Sequence, residues 1–417
     1  MSTKKFTMPS TMQVLDCDSL SISFPASLES TALPGVSSAS TLEALKLAVH
    51  HLTTLADVVA FPTETVYGLG ANALSSTAVA RIFAAKGRPQ DNPLIVHVSS
   101  LPMLRRLLPK DYALSRTYAA LIDAFWPGAL TLLFPADPRV VPAAVTAGRA
   151  SVAVRMPAHP AARALIALAD VPLAAPSANA SGKPSPTRAA HVCADLGAAG
   201  RVHVVLDGGP CAIGLESTVV DGLGEDGNLR VLRPGGVTVE DLERVVAALG
   251  VEEGRAQPRV LVHKRDYEDK AMESAPTTPG MKYRHYSPSV PVVLLMTTSQ
   301  APTGHTSTSF ADTLTFFSKS ANGTEAPLRK IGLLAPFDSP LLEYVQAVAG
   351  GVGKVQHFAL GTRADPATSA ARLFDGLLTL EQDGVDVILI EEIPEGREGL
   401  AFMNRARKAA GELVYLS

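Results

Sequence analysis

Short apolar runs of strand length recur along this chain, separated by segments with helical spacing, and that alternation limits the fold more than any other feature. VVAF (58–61), PLIVHV (93–98), ALTLLF (129–134), SVAVRM (151–156), PLAAP (172–176), VHVVLDGG (202–209), STVVDG (217–222) and LRVLRPGG (229–236) form a first block. PVVLLM, KIGLLAP, KVQHFAL and VDVILIEEIP form a second, between residues 291 and 394. Strands interleaved with helices predict α/β architecture, and near-continuous apolar runs in the second block predict a parallel sheet covered on both faces. Two blocks in 417 residues predict two domains, each large enough for its own core.

Helix ends are legible too. SSASTLEALKLAVHHL places Ser40 and Glu43 in capping-box register. STAVARIFAAKG ends at Gly87, and TVEDLERVVAALG starts at Thr238 with Asp241 three residues on, closing the first block near 250. Residues 251–275 then turn charged, and 297–328 is rich in Ser, Thr, Ala and Gly, which predicts an exposed insertion. The second block has no GxGxxG after its first strand, so dinucleotide binding is not expected.

Lys plus Arg number 37 against 40 Asp plus Glu, so no global basic field draws the chain to nucleic acid. Three scattered cysteines form no CxxC pair, which suits a reducing compartment and argues against a zinc ribbon. The first residues lack a secretory apolar core, and no 18-residue apolar run exists, so the cytosol is the expected compartment, with a mitochondrial pool left open and no membrane association.

Polar clusters sit at the ends of several strands. FPTETVYGLG (61–70) presents Thr63, Glu64, Thr65 and Tyr67 after a strand, as a turn or as part of a site. In AKGRPQDNP, Lys86 and Arg88 flank a helix C-terminus beside Asn92, as dipole partners or as a phosphate clamp. His97 falls inside a strand, where a core histidine is the usual reading. Ser151 opens the strand that Arg155 closes, where a guanidinium can grip a carboxylate. APSANASGKPSPT (175–187) and GLESTVVD (214–221) add hydroxyls and amides, and LRPGG adds Arg233. Convergence of such clusters is what a small-molecule crevice requires.

PTETVYGLG, KGRP with NPLIVHV, WPGALTLLF, SVAVRMP, APSANASGKPSPT, DGG with LESTVVD, and RPGG together resemble the YrdC-like threonylcarbamoyl-AMP synthase family, in family order. The chain beyond them resembles that family's two-domain branch. The resemblance implies an N-terminal extension (1–37), a YrdC-like twisted sheet domain with a concave basin (38–250), a linker or lid crossing the active site (251–289) and a smaller Rossmann-like parallel α/β domain (290–417).

It further implies a nucleotidyltransferase that joins L-threonine, bicarbonate or carbon dioxide, and ATP into threonylcarbamoyl-adenylate, releasing pyrophosphate. A separate transferase complex then carries the threonylcarbamoyl group to the adenosine beside the anticodon of tRNAs, with tRNA contact by this chain weak or indirect. Thr65, His97, Arg155, Ser177 and Ser217 match positions expected around threonine, and Lys86 and Arg88 the catalytic phosphate contacts. Arg88, Asn92, Ser151, Asn179, Thr187, Arg233 and Tyr286 match positions expected around ATP. Mg²⁺ is expected with ATP, with no metal ligand assigned on the chain and no organic cofactor. In the linker TTPGMKYRHYSP (277–288), Pro279 and Gly280 allow a turn, Lys282 and Arg284 add charge, and His285 neighbours Tyr286. The rival reading is an RNA-binding module of the same fold without synthase activity. A second rival, the hydrogenase-maturation carbamoyltransferase, would need CxxC zinc pairs that this sequence lacks.

Overall fold

A computed structural model describes residues 12–250, 257–263, 265–267, 285–304, 306–318, 329–347 and 354–417. The first block supplies strands β1 (Gln13–Asp16), β2 (Ile22–Ser23), β3 (Gly35–Val36), β4 (Val59–Phe61), β5 (Gly68–Asn72), β6 (Ile95–His97), β7 (Leu130–Pro135), β8 (Ser151–Arg155), β9 (Leu173–Ala174), β10 (Val204–Asp207), β11 (Thr218–Asp221), β12 (Leu229–Arg233) and β13 (Val260–Val262). An 11-stranded mixed sheet runs in the order β1-β10-β4-β5-β9-β6-β8-β7-β11-β12-β13, while β2 and β3 pair separately. Every apolar run of the first block named above becomes a strand of this sheet.

Both margins of the sheet reach further than the periodicity indicates. Gln13–Asp16, placed by sequence in an extension, pairs in parallel with Val204–Asp207 as an edge strand. Val260–Val262, placed in the linker, pairs with β12. Each is too short to signal itself, and each lies against a neighbour distant in sequence. The helix Ala39–Thr53 is capped by Ser38, whose hydroxyl accepts from the Thr41 amide, and not by Ser40. The helices Ser76–Lys86 and Val239–Ala248 end and begin where expected, at Gly87 and Thr238.

The second block folds into β14 (Val292–Met296), β15 (Ile331–Ala335), β16 (Val355–Ala359), β17 (Val387–Glu391) and β18 (Glu412–Tyr415), in the order β16-β15-β17-β14-β18. All four pairings are parallel. Side chains alternate across a strand, so Val292, Leu294 and Met296 face one core, shared with helices Pro366–Gln382 and Glu398–Ala409. Val293 and Leu295 face the other. That second core also takes Phe310, Leu314 and Phe317 from the helix Phe310–Ser318. The stretch read as an exposed insertion therefore covers one sheet face. Its apolar residues stand four and three apart, a helical stripe hidden by polar composition.

The two units share apolar contacts. Val66, Leu215 and Tyr286 belong to the core of the second unit. Gly214 has φ +67° and a side chain there would strike the Ala371 carbonyl at 2.1 Å, so only glycine permits this approach.

Candidate active site

Register brings the site together. In the parallel pair β6–β8, His97 stands opposite Arg155, and in β7–β8 Arg155 stands opposite Thr131. Ile95 and His97, two apart, face the same cavity. Over them lie Thr65 from the turn after β4, the 175–187 loop, and the β11 and β12 ends. The cavity measures about 70 Å³ and is lined by Thr65, Lys86, Arg88, His97, Arg155, Ser177, Asn179, Ser217, Arg233 and Tyr286. The remaining sequence candidates do not line it. Asn92 is buried with its carbonyl bonded by Arg88. Thr187 is tied to His191 by its amide. Ser151 pairs with Pro135 at the far end of β8 from Arg155, about 13 Å away along an extended strand.

Arg155 is buried but not free. It donates to the Gly128 carbonyl at 3.0 Å, to the Thr65 hydroxyl at 2.8 Å and to the Glu64 carboxylate at 2.6 Å. Glu64 also accepts the Ala158 amide at 3.0 Å. Three of the five guanidinium N–H donors are thereby placed, leaving two for a ligand. His97 is 4% exposed, and burial followed by the Arg155 charge lowers its pKa to about 3, so the imidazole is neutral. It is a core residue and a cavity wall at once.

The cationic side is organised by the protein itself. Lys86 turns inward from its helix end, and its amine donates to the carbonyls of Ser177 and Asn179 at 2.5 and 2.5 Å. Burial, then Arg88, push its pKa well below the ordinary lysine value. Arg88 donates to the Pro93 carbonyl at 3.0 Å, and burial followed by Arg233 lowers its pKa to about 10. Arg233 donates to the Ser217 carbonyl at 2.9 Å and to its hydroxyl at 3.2 Å. These cations therefore hold the cavity walls while lining its interior.

Glu216, in the GLESTVVD segment, is the only carboxylate among the described residues lining the cavity. Ser185 donates to one of its oxygens at 2.8 Å. Arg405, from the second unit, donates to the other twice, at 3.1 and 3.1 Å. Burial would raise the Glu216 pKa; the charges of Arg405 and then Arg233 override it and bring it to about 2. A strand-mouth carboxylate flanked by cavity hydroxyls was the available signal for Glu216. Nothing local marked Arg405, which lies 189 positions away.

Linker residues His285 and Tyr286 close the cavity, while 277–284 lie outside the described residues. Tyr286 adopts φ +67°, a left-handed conformation that costs about 1–3 kcal/mol outside glycine. It is held there by Phe374, 5.1 Å between ring centroids, and lies beside the Glu216 carboxylate. Ser287 anchors the following turn by donating its amide to the Gly182 carbonyl at 2.9 Å. Several buried polar atoms facing this region have no hydrogen-bond partner: His97 Nδ1, Asn179 Oδ1 and His285 Nε2. Buried orphans clustered on one cavity indicate a polar ligand.

Comparison with known proteins decides the family. The family model described as "Telomere recombination" matches residues 54–235, and that described as "Threonylcarbamoyl-AMP synthase, C-terminal domain" matches 237–411. The threonylcarbamoyl-AMP synthase of Schizosaccharomyces pombe is 41% identical over 89% of this chain and 89% of its own length. That of Bacillus subtilis is 41% identical, covering 86% of this chain and 90% of the relative.

The chain belongs to the threonylcarbamoyl-AMP synthase family.

A crystal structure of Pyrococcus abyssi Sua5 complexed with L-threonine superposes on this threonylcarbamoyl-AMP synthase family member with TM-score 0.73 and 34% identity, covering 97% of this chain and 100% of that one. The chain is accordingly an enzyme of transferase type, tied by its family to tRNA modification and to small-molecule substrates. Among the described residues, no helix is long and apolar enough to cross a membrane.

Proposed function

We propose that this cavity makes threonylcarbamoyl-adenylate from L-threonine, bicarbonate or carbon dioxide, and Mg·ATP. The observation that carries the reading is the division of one buried cavity into a guanidinium with spare donors beside a hydroxyl, Arg155 and Thr65, and a facing group of Lys86, Arg88 and Arg233. The two spare donors of Arg155 suit the threonine carboxylate, and the hydroxyls of Thr65, Ser177 and Ser217 suit its hydroxyl. The three cationic side chains suit polyphosphate.

The chemistry needs no side-chain nucleophile. The threonine amine and bicarbonate give a carbamate with loss of water. A carbamate oxygen then bonds to the α-phosphorus as the bond to the bridging oxygen breaks, and the electron pair leaves with pyrophosphate. Positioning and charge neutralisation are the protein's share. Mg²⁺ belongs to the substrate here, since this small hard ion is commonly held by nucleotide phosphates and water, and Glu216, the one cavity carboxylate among the described residues, is engaged by Arg405 and Ser185. Asn92, Ser151 and Thr187, which do not line the closed cavity, stand as nucleotide contacts of an opened one.

At about 70 Å³ the cavity is far below the roughly 300–1,000 Å³ of ligand pockets. Nucleotide entrance therefore requires Tyr286 to move, and the strained backbone of Tyr286 lowers the cost of that move. Closure afterwards keeps water from the carbamate and the adenylate. The adenylate is the donor for a separate transferase complex acting on the adenosine beside the tRNA anticodon, and a cytoplasmic setting matches that role. Incubating the protein with ATP, threonine and labelled bicarbonate tests the reading: label appears in an adenylate, with pyrophosphate release that needs all three substrates. Pyrophosphate release indifferent to threonine would refute it.

A further inference from the structure

We propose that Arg405, on the last helix of the second unit, is a positioning residue for the nucleotide side of the cavity. The proposal rests on the synthase reading for its kinetic readout, and it assigns the second domain a part in the site.

Arg405 is fully buried, at 0% exposure. Its guanidinium contacts two segments of the first unit, and both carry cavity residues. Nε and Nη2 donate to the Glu216 carboxylate at 3.1 and 3.1 Å, and Nη1 donates to the Pro234 carbonyl. Glu216 precedes Ser217, and Pro234 follows Arg233. Arg233 already ties these segments from within by donating to the Ser217 carbonyl. Gly235 lets them press together, since a side chain there would lie 2.3 Å from the Glu216 carbonyl. The Arg405 guanidinium also sits 5.9 Å from the Tyr286 ring centroid. One second-unit side chain thus reaches Glu216, the Arg233 turn and the linker tyrosine.

The simpler alternative is domain adhesion. A buried ion pair is poor adhesive, because desolvating both charges offsets much of their attraction. The second unit also has Arg188–Asp375 across the interface, at 3.0 and 2.9 Å. A guanidinium whose hydrogen bonds, among the described residues, go to cavity-bearing segments is better accounted for by its effect on the cavity. Glu216 faces the region assigned to ATP phosphates, among Arg233, Lys86, His285, Tyr286 and Ser185. A carboxylate there would repel the phosphates unless matched, and Arg405 supplies the matching charge from behind. Most of the threonine side is held from elsewhere: Arg155 bonds Thr65, Glu64 and Gly128, none of which Arg405 touches, and of the threonine group Ser217 alone follows a residue that Arg405 bonds.

The test compares full-length Arg405→Gln, Arg405→Lys, Glu216→Gln and the double variant Glu216→Gln/Arg405→Gln with wild type, measuring pyrophosphate release against ATP and against threonine. Arg405→Gln should raise the KM for ATP by about ten-fold or more while moving that for threonine by less than about two-fold. Arg405→Lys restores the charge but not both contacts and should recover part of the loss. Adding Arg405→Gln to Glu216→Gln should cost little more, because the carboxylate that Arg405 serves is gone. Arg407→Gln, on the same helix but in a surface pair with Glu395, should leave both constants unchanged. Equal shifts in both constants, no shift, or full additivity in the double variant overturns the proposal and leaves Arg405 as domain adhesive. If Arg405→Gln does not fold, the Arg405→Lys split between ATP and threonine decides. A wild-type protein that releases no pyrophosphate refutes the reaction alone; the same ratios are then read from dissociation constants of a fluorescent ATP analogue, and equal constants overturn the positioning role.

Discussion

Replacing Lys86 with methionine removes the amine while keeping most of the side chain's length and bulk. Lys86 is 3% exposed and donates to two buried carbonyls, Ser177 and Asn179, at 2.5 and 2.5 Å. Each orphaned acceptor costs about 1–3 kcal/mol. Relief from burying an amine at all returns part of that sum, so a net loss of about 2–4 kcal/mol is expected at neutral pH. The pH dependence has a definite sign. Burial and Arg88 lower the folded pKa of Lys86 below its ordinary 10.5, so between those values the unfolded chain binds the extra proton. Wild-type stability therefore rises with pH up to about 10.5, the variant lacks that rise, and the gap between them widens on the alkaline side. Urea unfolding followed by the single tryptophan, Trp126, buried at 4% exposure, measures both quantities. Loosening the loop that carries Ser177 and Asn179 should also cut pyrophosphate release in the folded variant by about 100-fold. Wild-type unfolding midpoints together with wild-type rates would show that Lys86 holds neither the loop nor the phosphates.

Three other perturbations separate the parts of the site. Arg155→Ala should raise the threonine requirement sharply, by about 100-fold, and unchanged threonine dependence in the purified variant would sink the carboxylate assignment. His97 has a folded pKa near 3, lowered by burial first and then by Arg155, against an ordinary 6.5. The unfolded chain takes up that proton first on acidification, so roughly 4–5 kcal/mol is present above pH 6.5 and lost as pH falls toward 3; acid titration of His97→Gln should show a flatter limb, and an unchanged limb would contradict the burial. Deleting 277–288 while retaining both domains removes buried Tyr286 and the Ser287 anchor, so it should lower stability by the same tryptophan signal and lower adenylate yield at least about ten-fold in the protein that remains folded. Full yield would return the stretch to being a tether.

What the sequence disclosed, and what it withheld, divides by the range of the interaction. Apolar runs such as Val292–Met296 are buried on both faces, so each announces a strand by itself. Gly68–Asn72, with two glycines, carries no such run, and β1, β13 and β18 are short margins defined by the strands they join. Cavity residues were legible where function sits in a local motif: Thr65, Ser177, Asn179 and Ser217 stand at strand ends and reach the cavity directly. The direction of a long side chain was not legible. Lys86 and Arg88 read as cations at a helix end, as dipole partners or as a phosphate clamp, and both turn back onto carbonyls of the cavity wall. That choice depends on where distant carbonyls lie; the partners of Lys86 are 91 and 93 positions away. The same reasoning explains why Glu216 and Arg405 went unassigned. A buried carboxylate and a buried guanidinium are each costly alone and tolerable only together, so neither residue has a meaning that a local window can contain. Tyr286 lies between these cases: its aromatic and basic surroundings made the linker conspicuous, while its placement against Phe374 and Glu216 depends on the second domain being in position. The cavity wall and its closing tyrosine are thus completed by groups from the second unit, and the first unit expressed alone would leave Glu216 without the guanidinium that balances it.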